Sequence, residues 1–255
     1  MNPLQRVLIE KAGREYGFEN VLAGDVDTVV LGSARHAAKV LIRLDGDGFQ
    51  LRLPVGLLAN ELSRNYASTV SESVSFFAAN IEQLSTLLIR AAALAQSLPN
   101  QAVQYYETKV QEALITLPKN GTEIERMVRQ RIGQDTFRTA MLGYWGGACA
   151  VTGINVSQVL RASHAKPWAD CSADAERLDV FNGFLLSANL DALFDKFLIS
   201  FDSEGHILIS SLLTSTQIGL LGITANLRLR WLASQHLNYL KYHQDVFYKK
   251  QAINS

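Results

Sequence analysis

Three short stretches of the chain hold side chains able to do chemistry. The first, Ser163-His164-Ala165-Lys166-Pro167-Trp168, sets an imidazole at the end of an apolar run, and an unperturbed imidazole titrates near neutrality. The second is Phe181-Asn182-Gly183-Phe184-Leu185-Leu186. The third, Asn189-Leu190-Asp191-Ala192-Leu193-Phe194-Asp195, places two aspartates four residues apart, on one face of a helix. Carboxylates so placed can hold a hard cation through oxygen. Singly, each stretch has a plainer meaning: a structural histidine at a strand end, an Asn-Gly turn, a solvated acidic face.

Order and spacing join them. A strand ending in His164, a loop, a strand opened by Asn182-Gly183 and a helix with ligand-type residues make a β-β-α unit. This unit resembles the HNH nucleases, a ββα-metal family. It is most similar to the branch marked by Arg-x-Gly-Gln, Phe-Arg, Cys-x-Val-Thr-Gly, His-x-Lys-Pro-Trp, Asn-Gly and Leu-Phe-Asp, a pattern found in restriction-type nucleases. The chain has Arg131-Ile132-Gly133-Gln134, Phe137-Arg138, Cys149-Ala150-Val151-Thr152-Gly153, His164-Ala165-Lys166-Pro167-Trp168, Asn182-Gly183 and Leu193-Phe194-Asp195, followed by Leu198-Ile199-Ser200-Phe201-Asp202. The resemblance covers residues 129–210 and leaves the first 118 residues without a family.

The resemblance implies a role for each position. His164 is the general base that activates water against a DNA phosphodiester. Asn182 holds the histidine ring by hydrogen bonding and fixes the loop. Asp191 and Asp195 ligate a divalent metal, Mg²⁺ or Mn²⁺, at a place where Ser163 stands instead of the family's frequent Asp or His. Arg161, Lys166 and Arg138 face DNA phosphates. A restriction or phage-defence setting is also implied, with the preceding domain serving recognition, regulation, dimerisation or contact with partner proteins. Ser163 favours a second reading, a catalytically weak DNA-binding or protein-interaction module that keeps the ββα fold. A third reading makes the chain a structural subunit that recruits partners through a long helix at residues 71–98.

Other reactive residues have quieter roles. Cys149 lacks a second cysteine where zinc-bearing relatives have one, because Thr152 stands there, and Cys171 has no Cys-x-x-Cys partner; no structural zinc is expected. Trp168 reads as a core anchor beneath the loop. His36 reads as a surface residue, and His206, His236 and His243 as non-catalytic. Arg126, Arg129 and Arg131 read equally as a solvated helix face or as part of a positive surface.

The elements that must position these residues form an α+β protein of two domains, 1–118 and 119–255, with the nuclease core at 129–210. The boundary falls in Leu117-Pro118-Lys119-Asn120-Gly121-Thr122, a turn-rich cluster. In the first domain, helical spacing covers Pro3 to Tyr16. Strands are expected at Val29 to Leu31, Ala38 to Leu44 and Phe49 to Leu53, with a glycine-bearing turn at Asp45 to Gly48. Helices are expected at Val55 to Tyr66, Ser71 to Leu98 and Gln101 to Leu114. In the second domain a capping box at Thr122 and Glu125 starts a helix. Strands follow at Val159 to His164 and Phe184 to Ser187, then a helix from Asn189, a hairpin from Phe197 to Ser210 and helix across most of Ile223 to Phe247.

Composition narrows the classes. Hydrophobic residues are 48% and charged residues 19% of 255, enough for a large core and too apolar for intrinsic disorder. Two cysteines cannot make a disulfide framework, which suits a cytoplasmic location. The N-terminus breaks its apolar run with charges and does not read as a signal peptide. The apolar run from Val74 to Leu98 is interrupted by Asn80, Glu82, Gln83 and Arg90, so no membrane span is expected. Net charge is zero, −2 before residue 118 and +2 after it. A generic basic nucleic-acid binder is excluded, and contact with DNA must come from local patches.

Overall fold

A computed structural model describes residues 1–99, 101–115 and 122–253. Helices and antiparallel sheets are mixed, an α+β fold, and contacts group the chain into two compact units, Met1–Gln101 and Ala102–Ser255. Residues 117–121 of the expected linker and the Thr122 side chain of the expected capping box lie outside the described residues.

The first unit opens with helix α1, Pro3–Glu15. Asn2 and Gln5 exchange side-chain and backbone hydrogen bonds at its start, satisfying amides that have no helical partner. Strands β1 (Asn20–Gly24), β2 (Thr28–Gly32), β3 (Val40–Asp45) and β4 (Gly48–Pro54) follow, then helix α2 (Leu57–Leu62), strands β5 (Ser68–Val70) and β6 (Ser73–Ala78) and helix α3 (Ile81–Ser97). The six strands form one antiparallel sheet ordered β1-β2-β3-β4-β6-β5. Period-two alternation decides its faces. Val29, Ile42, Leu51 and Phe76 stand in register and are buried, with α1, α2 and α3 against the sheet. Thr28, Arg43, Gln50 and Phe77 make the matching row on the other face. Gly46 takes a φ of 58° in the β3–β4 turn, a conformation that costs glycine little.

The expected helix from Ser71 to Leu98 is two elements. Residues 73–78 are the strand β6, and the helix begins only after Asn80, whose side chain accepts a hydrogen bond from the Gln83 amide. Phe76 is 1% exposed and its neighbour Phe77 59%. A helix would have put both near one broad face; a strand must separate them. The second helix is also shorter than Val55 to Tyr66, and β1 and β5 are strands the sequence reading lacked.

The second unit comprises helices α4 (Gln101–Ile115) and α5 (Thr122–Tyr144), strand β7 (Leu160–His164), the short helix α6 (Asp174–Arg177), strand β8 (Gly183–Ser187), helix α7 (Ala188–Asp195), strands β9 (Ile199–Phe201) and β10 (Ile207–Ile209), and helices α8 (Ser215–Leu220) and α9 (His236–Ile253). β7 and β8 form an antiparallel ribbon with α7 packed on it. Residues 223–235, expected to be mostly helical, instead run as irregular chain. There Arg230 donates to the Trp145 and Ala148 carbonyls and lies over the rings of Trp145 and Trp231, contacts a continuous helix would not make. Among the described residues no helix is long and apolar enough to cross a membrane.

His236 and His243 are buried on α9. His243 stacks on Phe194 with ring centroids 3.7 Å apart. Its Nε2–H donates to the Phe194 carbonyl, and its Nδ1 accepts from the Ser200 hydroxyl. It thereby pins the C-terminal end of α7. Burial pushes this imidazole down to about 4, with the Phe194 carbonyl opposing.

Two stability measurements follow. Phe76→Ala should cost about 3–5 kcal/mol in chemical denaturation and Phe77→Ala within about 0.5 kcal/mol; equal losses would contradict the strand. His243 stays neutral in the fold while the unfolded chain takes up a proton near pH 6.5. Its stabilisation is therefore full above pH 6.5 and declines as pH falls toward 4, by on the order of 3 kcal/mol. His243→Gln should flatten that pH dependence.

Candidate active site

The candidate site forms where α5 and α7 meet the two sides of the β7–β8 ribbon. Arg138 on α5 donates from Nη1 to the Leu160 carbonyl at 2.7 Å and from Nη2 to the Ser157 carbonyl at 3.0 Å. It fixes the entry to β7. The residue before Arg138, Phe137, is buried and stacks on the His164 ring with centroids 3.8 Å apart. The Phe137-Arg138 pair is thus a two-point support for the strand that ends in His164.

His164 is directed by the backbone. Its Nε2 lies 2.9 Å from the Arg177 carbonyl. A carbonyl can only accept, so Nε2 holds the proton and Nδ1 keeps its lone pair in the neutral ring. Burial lowers the pKa of this imidazole, and the Arg177 carbonyl opposes that. A neutral, oriented imidazole with a free lone pair is the form a general base needs.

Asn182 is completely buried. Its Oδ1 accepts from the Lys166 amide at 2.8 Å, and its Nδ2 donates to the Glu176 carbonyl at 3.0 Å and the Lys166 carbonyl at 3.2 Å. The expectation that Asn182 bonds the histidine ring is corrected by this geometry. The ring's partner is the Arg177 carbonyl, one residue beyond the Glu176 carbonyl that Asn182 holds. Asn182 is a positioning residue acting through the loop. The Arg177 side chain ties the same loop, donating to the Trp168 and Cys171 carbonyls and pairing with Asp174 at 2.8 Å.

The Asn182-Gly183 pair opens β8 rather than making a turn. Gly183 faces His164 across the ribbon, and a Cβ there would overlap the Ser163 carbonyl oxygen. Gly133 on α5 is constrained in the same way, because a Cβ would run into the Trp168 indole. Trp168 also meets the His164 ring edge-on at 5.8 Å. The Arg-x-Gly-Gln and Lys-Pro-Trp patterns are therefore two halves of one contact beside the histidine, with Trp168 as its anchor.

Ser163, the residue before His164, is turned toward α7 and is 4% exposed. Its hydroxyl lies toward the Asp191 carboxylate and favours the ionised form of that group. Burial raises the pKa of Asp191, Asp195 adds repulsion, and the Ser163 hydroxyl, Arg161 and Lys196 act against the rise. Asp195, one turn on, is largely exposed and pairs with Lys196 at 2.6 Å. Among the described residues, no group of three or more His, Cys, Asp or Glu is gathered for a metal. What the site offers is two mutually repelling carboxylates and a hydroxyl, all hard oxygen donors. That set fits Mg²⁺, which uses one or two carboxylates and keeps several waters. Among the described residues no hydrogen bond or ion pair joins His164 to either aspartate; Ser163 acts on Asp191, while His164 stacks on Phe137 of α5.

Of the three cations expected at DNA phosphates, two are engaged inside the protein. Arg138 clamps residues 157–160, and Lys166 pairs with Glu176 at 2.9 Å while only 20% exposed. Arg161 is exposed, though its Nη1 bonds the Gln158 and Leu160 carbonyls. Arg126 and Arg129 pair with Glu123 and Glu125 along α5. Cys149 is a buried acceptor for the Thr152 and Ser187 amides. His36 is buried rather than on the surface, with Nε2 bonded to the Gly17 carbonyl. The sequence reading missed Arg177, whose carbonyl no residue type could reveal, and Glu176, which its spacing to Lys166 does not mark.

Residues 149–202 match the family model described as HNH endonuclease. The matched span holds Ser163, His164, Asn182, Asp191 and Asp195 together. No curated protein matches the chain.

The two glycines give a direct check. Gly183→Ala and Gly133→Ala should each lower stability by about 1–3 kcal/mol in denaturation, the usual cost of overpacking. Wild-type midpoints in both would refute the close contacts described.

Proposed function

We propose that this protein is a divalent-metal-dependent endonuclease that hydrolyses DNA, acting in the cytoplasm in restriction or phage defence, with the first unit serving target recognition or regulation. The observation that supports the chemistry most is the oriented neutral imidazole of His164, within a stretch that matches HNH endonucleases. Both cysteines are free thiols, in keeping with a reducing compartment.

In this reading Nδ1 of His164 takes a proton from water as the water attacks phosphorus. Phe137 and the Arg177 carbonyl keep the ring from turning away. Asp191, with Asp195 beside it and the Ser163 hydroxyl on its carboxylate, would hold Mg²⁺ or Mn²⁺. When bound, that ion neutralises phosphate charge and stabilises the leaving oxygen. Asn182 keeps residues 166 and 176 in place so that the carbonyl at 177 stays under the ring.

A second reading, a DNA-binding module that does not cut, is favoured by one observation. Ser163 contributes a hydroxyl where a carboxylate or imidazole would strengthen the metal site. The same assay separates the two.

Purified protein incubated with supercoiled plasmid and Mg²⁺ or Mn²⁺ should nick or linearise it. His164→Ala should reduce the rate by about 10²- to 10⁴-fold with folding retained. Asp191→Ala should lose activity and metal dependence together, Asp195→Ala should lose less, and Ser163→Ala least. Wild-type cutting by His164→Ala, or unaltered plasmid with every divalent metal, sinks the nuclease reading.

A further inference from the structure

The open face of the first unit's sheet carries two arginines placed as a pair. Arg43 on β3 lies directly opposite Gln50 on β4, and Arg52 is two residues further along β4 on the same face. Arg43 Nε donates to Gln50 Oε1 at 2.8 Å, and Arg52 Nε donates to the same oxygen at 2.7 Å. One amide oxygen therefore draws two guanidinium groups side by side. Among the described residues neither arginine is in an ion pair with a carboxylate. Like charges so placed repel, and the hydrogen-bond acceptor the two share is the uncharged Gln50 oxygen. What the arrangement lacks is an anion.

The surroundings specify which anion. Lys39, exposed just before β3, shares the alternation of Leu41 and Arg43 and so adds a third cation on this side. Phe77, next in the row after Gln50, is 59% exposed. A cationic pair beside an exposed ring on a sheet suits a polyanion with flat apolar rings, since guanidinium groups bond phosphate in two-pronged fashion and aromatic side chains stack on bases. Asp45, opposite Gly48 at the end of β3, shares this face one step beyond Arg43 without an ion pair to it among the described residues, and Asp47 stands in the turn.

We infer that the open face of the β2-β3-β4-β6 sheet is a DNA-binding surface, with Arg43 and Arg52 gripping the phosphate backbone and Gln50 setting their spacing. This rests on the reading of DNA as the substrate and adds a contact area on the first unit.

The test uses the full chain. Binding of a fluorescent DNA duplex is measured by anisotropy across a salt series, with plasmid cleavage measured in parallel. Arg43→Gln/Arg52→Gln should weaken binding by roughly 10- to 100-fold at 0.1 M salt and lower the slope of log K against log salt by about 2, while cleavage at saturating DNA stays at the wild-type rate. Arg43→Lys/Arg52→Lys, which keeps both charges, should retain most of the slope, so a loss from altered folding is told apart from a loss of charge. Unchanged affinity and slope in the glutamine variant, in a protein that still cuts DNA, overturns this surface alone. A slope lost equally in the lysine variant also overturns it, because charge is then not the cause. If the wild-type chain neither binds nor cuts DNA, the nuclease reading fails and this inference with it.

Discussion

A single hydrogen bond, from His164 Nε2 to the Arg177 carbonyl, is the constraint around which the second unit is arranged. A backbone carbonyl has no side chain to orient it, so the chain around it must be held. Asn182 does so from one side, bonding the carbonyl of the preceding residue, and the Arg177 side chain from the other, through the carbonyls of Trp168 and Cys171. Phe137 then closes the ring's remaining freedom by stacking. Each support is buried or part-buried, where an unsatisfied polar group is costly. Loosening any of them releases the histidine.

The opposite side of the ribbon follows different physics. The Asp191 carboxyl group resists ionisation because it is partly buried near Asp195, and the Ser163 hydroxyl works against that. A cation would relieve that resistance, while a proton relieves it without one. Thus the imidazole is held by packing, whereas the acidic side is held by fewer contacts. His243 serves the second arrangement from α9 by bonding the end of the helix that carries both aspartates.

Much of the fold and of the candidate site was legible in the sequence, but unevenly. The β-β-α unit could be read because its strands are short and its reactive residues are rare types at fixed separations. Ser73 to Ala78 could not, because Val74, Phe76 and Phe77 run without a break into the apolar helix beyond Asn80. Only the neighbouring strand β4 decides the period. Arg138 and Lys166 were read as DNA contacts from charge and position. Their true partners, carbonyls at 157 and 160 and the Glu176 carboxylate, lie 10 to 22 residues away. Residue type tells that a cation is present; only folding tells whether it is already engaged. Gly133 and Gly183 were recognised as parts of motifs, while their physical cause, the space taken by Trp168 and by the Ser163 carbonyl, needs three dimensions.

The Asn182-Gly183 step has one more consequence, for chemical ageing. In a flexible chain, asparagine before glycine is the dipeptide most prone to lose its side-chain amide, because the glycine nitrogen can swing round onto the side-chain carbonyl carbon. Here the asparagine is sealed from solvent, its amide is held by several partners, and the following glycine is fixed in a strand. Cyclisation would have to break these hydrogen bonds and distort the strand. The fold therefore shields a labile bond at the residue on which its histidine depends, and conversion of Asn182 to an acid becomes a clock that runs only while the ribbon is open.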